Sequence, residues 1–269
     1  MDLVLSTCDD IFLDTVWQSS GLPRDSLLRQ SVSIYSVVLV MAAALYFGLS
    51  SIDYYYFFNR EVEKHKFFLP NQVQKEIWSA SKGIVIMNAM SMPVWLAEVR
   101  GHGKFYNGVD DIPFFLATMV WFFVFTDACI YFVHRILHWP WFYANIHKEH
   151  HSWKIVTPWS SIAFHPVDGF SQSLAYHVFV LIWPMNRLAY LVCFFLVQVW
   201  SISIHDQVYI TKKFGLNQLI NGADHHTEHH TKYTFNYGQY FTFWDKLFGS
   251  HFTPSRDATA ISTPKTKTA

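Results

Sequence analysis

The chain has 269 residues, of which 51% are hydrophobic, 19% aromatic and only 15% charged, against roughly 25% charged in an ordinary soluble domain. Formal net charge is zero and the pI is near 7.3, which excludes the basic footprint of a nucleic-acid-binding protein. The three cysteines (Cys8, Cys129, Cys193) form no CxxC pattern, which argues against a disulfide framework or thiolate metal site, and a mean hydropathy of +0.14 points to an integral membrane protein.

The N-terminal stretch is acidic (Asp2, Asp9, Asp10, Asp14) and lacks a basic n-region, so no cleavable signal peptide is expected. The first apolar run, 31–52, carries no charge and is followed by Asp53, Tyr54, Tyr55, Tyr56 and Arg60, as an interfacial belt would be. Segment 60–75 is charged, breaks at Pro70 and is expected to be a solvated loop or short helix. A second span is expected over 78–99, weakened by Pro93 and by Lys82, which lies near one end and can snorkel. A polar loop, 100–111, leads to a third span over 112–133 that is strongly aromatic but contains Asp127. The apolar region 170–204 breaks at 183–187 and is expected to form helices 172–183 and 188–204 about a tight turn, the first short for a full crossing.

The expected fold is therefore all-α: an integral membrane bundle of about four spanning segments, one of them part of a short hairpin, with a histidine-rich metal-binding cap. It is expected to form one domain over 1–252, followed by a disordered tail, 253–269, rich in Thr, Ser, Pro and Lys. Arg60, Lys64, Lys66 and Lys75 make the loop after the first span basic and hence cytosolic. Threading the spans from there puts every histidine cluster on the cytosolic side. Lys265 and Lys267 fit a dilysine retrieval signal and give weak support for the endoplasmic reticulum membrane.

Nine of the fifteen histidines fall in three short strings, HRILH (134–138), HKEHH (147–151) and HHTEHH (225–230). His134 and His138 are spaced i, i+4 on a helix face that Asp127 and Tyr131 continue. His147, His150 and His151 share an HxxHH spacing with His226, His229 and His230, with His225 extra, and on a helix each such cluster is expected to direct three imidazoles at one locus. A lone i, i+4 pair is more often a surface coincidence, but three clusters of this kind are hard to reach by chance. Eight to ten imidazoles exceed what one metal binds, so two metals are the economical reading. A nearly all-imidazole set suits Fe, Zn, Cu or Ni and excludes Mg and Ca; redox chemistry at a membrane surface favours iron. Glu149, Glu228, Asp206, Asp224 and Asp127 are the candidate carboxylates to receive the second ring N–H of a ligand. His205 and His165 end apolar stretches on the metal side, and His205 is expected as a ligand. Asp127, a carboxylate within an apolar run, and His165 are the candidate catalytic residues. His65, His102, His177 and His251 are expected to be ordinary packing or surface residues.

HRILH, HKEHH and HHTEHH near membrane spans resemble the fatty acid hydroxylase and sterol desaturase superfamily. The longer strings HKEHHSWKIVTPW, AFHPVDGFSQSLAYH, SIHD and NGADHHTEHH with NYGQYFTFWDKLFGS resemble its sterol C5-desaturase branch, over nearly the whole chain. The resemblance implies an endoplasmic reticulum enzyme with a non-haem centre of two irons, for which Zn can substitute in a purified sample. It implies use of O2, electrons from cytochrome b5 and NADH-cytochrome b5 reductase, and a Δ7-sterol substrate desaturated between C5 and C6. His134, His138, His147, His150, His151, His226, His229 and His230 match the superfamily's boxes, and His205 and His225 match further histidines of the sterol branch. Where the fatty acyl branch has HxxxH, this chain has His205 followed by Tyr209, and His225 is expected to supply the missing ligand.

The substrate is expected to enter sideways from the lipid into an apolar slot lined by Trp121, Phe122, Phe123, Phe125 and Tyr131. Arg135, Lys148 and Lys154 offer a basic face to an acidic electron donor. Two other functions compete: a hydroxylase or C4-methyl oxidase of the same superfamily, and a histidine-rich metal transporter. A transporter needs ionisable groups along a path through the membrane, where only Asp127 is found.

Overall fold

Six helices carry the architecture: α1 (Leu27–Tyr56), α2 (Gln72–Ala97), α3 (Ile112–Leu137), α4 (Pro166–Ile182), α5 (Arg187–Ser203) and α6 (Ala223–Lys232). The computed structural model describes residues 1–252, so the expected tail 253–269, with Lys265 and Lys267, lies outside the described residues.

Among the described residues, the two helices long and apolar enough to cross a bilayer are α1 and α3, with 30 and 26 residues. At a 1.5 Å rise per residue both exceed the roughly 30 Å hydrocarbon core. Only 17% and 33% of their most apolar stretches are buried within the protein. The core helix of a soluble protein would hide most of that surface; here Val40, Leu116, Val120 and Phe132 face outward.

Most of the helices extend beyond the spans expected from hydropathy, because polar residues pack at their ends. The start of α2 is Gln72 rather than 78. Its first turns hold the buried Gln72, which donates to the Ile155 carbonyl at 2.7 Å, and Glu76, which accepts from Thr157 Oγ1 at 2.6 Å. Likewise α4 begins at Pro166 rather than 172, with His165 capping it by accepting from the Val167 N–H at 3.3 Å. Asp111 caps α3 and Asn186 caps α5. The break at 183–187 is a tight turn, as expected. Its β2 (Met185–Asn186) pairs in parallel with β1 (Phe105–Tyr106) from the 100–111 loop.

Beside a small cluster of Leu5, Leu13, Ile34 and Trp95 that ties the N-terminal segment to α1 and α2, packing divides into two units. In one, α3, α4 and α5 enclose Phe122, Ile130, Tyr176, Phe179, Tyr190 and Cys193, so Cys193 behaves as the small hydrophobe expected. In the other, α1 and α2 enclose Tyr46, Tyr54, Ala80 and Ile84 with Trp153 and Trp159. The short helix Pro158–Ile162 joins the second unit to the segments after α3: Tyr46 Oη donates to the Trp159 carbonyl at 2.8 Å and Ser50 Oγ to that of Pro158 at 3.2 Å. The ends of α3 and α5 and the starts of α2 and α4 thus meet the 139–165 and 204–252 segments at one end of the bundle. The β1/β2 pair and the N-terminal helical segment lie at the other, where Arg187 bonds Asp2 at 2.8 Å.

Gly169, in the first turn of α4, is pressed by the Phe164 ring and Met87 Sδ, which a Cβ would overlap. Gly169→Ala is expected to destabilise the protein by about 1–3 kcal/mol through overpacking. A thermal melt in detergent with an unchanged midpoint would contradict this.

Candidate metal centre

Nine imidazoles gather in two clusters at that end of the bundle. His134, His138, His147, His151 and His229 form one; His150, His205, His226 and His230 form the other, and in each the ligating nitrogens lie within 4.8 Å of one another. His134 and His138 come from the last turn and cap of α3, and His205 follows α5. The remaining six come from the 3-10 helix His147–Ser152 and from α6.

Each HxxHH string was expected to converge on one locus; instead each divides. His147 and His151 turn to the first cluster and His150 to the second, while His229 joins the first and His226 and His230 the second. In α6, His226 and His230 are four apart and share a face while His229 sits to one side, and the 3-10 turn divides in the same pattern, with His147 and His151 together and His150 apart. Two such turns laid side by side therefore build two centres between them, and each centre draws on both.

The rings are held by their outer nitrogens. Nδ1–H groups donate to backbone carbonyls: His134 to Tyr237 at 3.0 Å, His205 to Ser201 at 2.6 Å, His229 to Phe235 at 2.6 Å and His230 to Trp153 at 3.1 Å. His147 Nδ1 donates to Asp168 Oδ2 at 2.5 Å, and Asp168 Oδ1 is itself held by Gln172 at 2.7 Å. These bonds fix the tautomer and leave Nε2 as a bare lone pair facing inward. The Nε2 atoms of His134 and His147 are 3.1 Å apart, those of His138 and His151 3.2 Å, those of His205 and His226 2.9 Å, and those of His150 and His230 3.1 Å. Lone pairs converging at this distance repel unless a cation lies between them. Cis ligands at about 2.1 Å from a metal are themselves about 3 Å apart, so the spacing fits a metal in each cluster.

Burial works the same way. It pushes His138, His150, His151, His226, His229 and His230 below the ordinary imidazole pKa, and the neighbouring imidazoles lower them further. For His205 burial lowers it to about 4, against the opposing pull of the Ser201 carbonyl. The rings are thus neutral and ready to ligate at neutral pH.

Of the ten expected ligands, His225 is the one not brought to a cluster. It lies one turn before His229, with Nδ1 3.7 Å from Asp224 Oδ1 and its ring stacked on His251. His165 caps α4 and Asp127 is a brace: buried in α3, its Oδ1 accepts from the backbone N–H groups of Gln239 at 3.0 Å and Tyr240 at 2.7 Å. Neither is hydrogen-bonded to a cluster imidazole among the described residues. The expected carboxylate partners also go elsewhere. Glu149 accepts from Ser79, Glu228 pairs with Lys232, Asp206 accepts from the Val208 N–H and Asp224 from Thr211. The partner carboxylate is Asp168, whose one sequence signal was its place three residues after His165, in the first turn of a helix near the histidines.

A cavity of about 280 Å³ separates the two packing units and reaches the clusters at His134, His150, His205 and His226. Its walls are mainly apolar, from α1 (Val38, Met41, Leu45), α2 (Ile84, Met87) and α5 (Phe194, Val197). The stretches that line it, from Ile84 to Glu98 and from Tyr190 to His205, each span about 20 Å. The expected aromatic lining from α3 is corrected here: Phe122 is packed among Tyr176, Phe179 and Tyr190, and Tyr131 against Phe248. Of α3, the cavity touches Ile130 and His134.

Asp168→Asn is expected to cut affinity for a divalent metal by about 10- to 100-fold, measured by competition with a chromophoric chelator. Asp127→Ala should lower the melting midpoint, since two backbone N–H groups lose their acceptor, and should weaken metal binding less than Asp168→Asn does, because Asp127 acts on His134 only through the Tyr237 segment. Metal-free protein is expected to lose stability as pH falls from about 6.5 towards the folded value of about 4 for His205. The unfolded imidazoles take up protons in that window and the buried ones do not, so acid favours unfolding. A melting midpoint independent of pH across that window would contradict the assignment.

The family model for fatty acid hydroxylase matches residues 119–250, which hold both clusters. Lathosterol oxidase of Mus musculus is 42% identical over 259 residues, covering 95% of this chain and 86% of that protein. Lathosterol oxidase of Homo sapiens is 40% identical over the same shares. A Δ7-sterol 5(6)-desaturase of Gibberella zeae is 44% identical over 237 residues, 87% of this chain and 73% of that protein. No solved structure matches the chain. With its histidine strings inside the matched region and its likeness running through nearly the whole chain, the protein belongs to the fatty acid hydroxylase family, alongside the lathosterol oxidases and Δ7-sterol 5(6)-desaturases.

Proposed function

We propose that this chain is a Δ7-sterol 5(6)-desaturase, an oxidoreductase that removes one hydrogen each from C5 and C6 to give the 5,7-diene. O2 is reduced to two waters by those two hydrogens together with two electrons and two protons supplied from outside. The observation that carries the reading is an elongated apolar cavity, about the length of a sterol, that ends on two imidazole clusters in a chain 40–44% identical to named sterol oxidases and desaturases.

His134, His138, His147, His151 and His229 would hold one iron, and His150, His205, His226 and His230 a second. When bound, the two irons supply O2 reduction strong enough to take hydrogen from an unactivated ring carbon. The chain's own residues orient and enclose. Asp168 and the carbonyls of Tyr237, Ser201, Phe235 and Trp153 hold the rings in register. The apolar walls exclude water and present one edge of a rigid ring system to the clusters. His225, His165 and Asp127 act as structural neighbours of the centre.

The same reading takes α1, α2, α3 and the α4–α5 hairpin as the membrane-embedded elements, in the endoplasmic reticulum. The cluster end faces the cytosol, as the basic segment around Arg60, Lys64, Lys66 and Lys75 supports. The sterol enters from the bilayer. Electrons arrive from cytochrome b5 and its NADH-dependent reductase at the cluster end, where Lys148 and Lys154 are exposed.

In cells lacking their own 5(6)-desaturase, this chain is expected to convert a Δ7-sterol to a product two mass units lighter. A product sixteen units heavier would instead establish hydroxylation, and an unchanged sterol profile with the protein expressed would overturn the reading. His151→Ala and His226→Ala, one from each cluster, should each reduce conversion to background.

A further inference from the structure

We propose that the Ser161 hydroxyl is the hydrogen-bond partner of the sterol's 3β-hydroxyl and so sets which edge of the ring system meets the histidine clusters. This rests on the desaturase reading and assigns the substrate's polar end within it.

Ser161 is 5% exposed and lines the cavity, yet its Oγ has no hydrogen-bond partner among the described residues. Its neighbour Ser160 shows what is normal in this turn: its Oγ donates to the Thr157 carbonyl at 2.7 Å and accepts from the Thr157 N–H at 3.1 Å. A buried hydroxyl left without a partner is costly, and in a cavity that accommodates a ligand the natural partner is the ligand. A sterol carries one polar group suited to it.

The position agrees with the chemistry. The hydroxyl-bearing carbon C3 is two bonds from C5, so a sterol that offers C5 and C6 to the metals must hold its hydroxyl at the cluster end of the cavity. Ser161 belongs to a turn tied to that end. Trp153 Nε1 donates to the Ala163 carbonyl at 2.8 Å, the Trp153 carbonyl accepts from His230, and the Phe164 ring lies 5.7 Å from that of His150. A second orphaned atom on the cavity wall, Asn88 Oδ1, lies more than a helical turn further from the clusters: the turn meets α2 at Gly83, which faces the Ile162 and Phe164 carbonyls. The far end, at Tyr190 and Glu98, then receives the sterol's side chain.

The test uses membranes from cells that lack their own 5(6)-desaturase and express the full chain, supplied with a Δ7-sterol or with its 3-deoxy analogue. Ser161→Ala is expected to raise the apparent KM for the 3β-hydroxy sterol by about 3- to 10-fold, the range of one neutral hydrogen bond. It should leave the 3-deoxy analogue unchanged, and Ser161→Thr should restore the wild-type preference. Should Ser161→Ala fail to accumulate, Ser161→Cys, similar in volume and a weak donor, is read in the same way. Equal losses on both substrates, or none on either, overturn the inference while leaving the desaturase reading intact. Failure of the wild type to convert any Δ7-sterol overturns both.

Discussion

Nine imidazoles pointing their lone pairs at one another, with Nε2 pairs 2.9–3.2 Å apart, are the constraint on which the rest of the structure depends. Such an arrangement is repulsive on its own. It persists because burial disfavours charging rings such as His150, His226 and His230, and because most of the rings are pinned from behind, at Nδ1, by a carbonyl or by Asp168. Those pins come from widely separated places: the end of α5, the loop after His151, the start of α4 and the 233–240 segment. Forming the centre therefore requires nearly every element at that end of the bundle to be in place. Iron in the two clusters, as proposed, would turn the repulsion into the strongest tie in the fold.

The splitting of each HxxHH string reinforces this dependence. Neither cluster can be assembled from one segment, since His147 and His151 need His134, His138 and His229, while His150 needs His205, His226 and His230. The brace at Asp127 belongs to the same design. By receiving the N–H groups of Gln239 and Tyr240 within α3, it anchors the segment whose Tyr237 carbonyl orients His134 on that helix. A buried carboxylate in an apolar helix thus serves the histidine-rich end of the fold without touching it.

The cavity follows from how the helices divide. The aromatic side chains of α3 are consumed in packing against α4 and α5, so they form a wall's interior rather than its surface. The opening lies between that unit and the α1–α2 unit, where aliphatic and methionine side chains give a smoother slot suited to a rigid, flat ligand. Ser161, Ile162 and Phe164, in a turn held to α1 through Tyr46 and Ser50, line the cluster end.

Much of this was legible in the linear chain. A charge-free run marked α1 and a strongly apolar one marked α3, because crossing a bilayer demands a length of apolar residues that few other structures need. Histidine spacing marked eight of the nine residues that cluster, because helical turns make i, i+3 and i+4 neighbours whatever the fold; the ninth, His205, was marked by its place at the end of an apolar stretch. Local periodicity does not carry the relation between turns. Which of two adjacent loci each imidazole reaches, that His225 reaches neither, and that Asp168 rather than Glu149 or Asp206 backs a ring are settled by how α4 and α6 dock. Helix ends were missed for the same reason: Gln72, Glu76 and Asp168 are polar, and their burial depends on partners far along the chain. The sequence by itself determined a helical, lipid-facing chain with an imidazole-rich centre, since hydropathy and helical spacing are local properties. Only the tertiary structure decided the pairing of the histidines, the carboxylate behind them and the position of the cavity, since each is a contact between residues that the chain keeps apart.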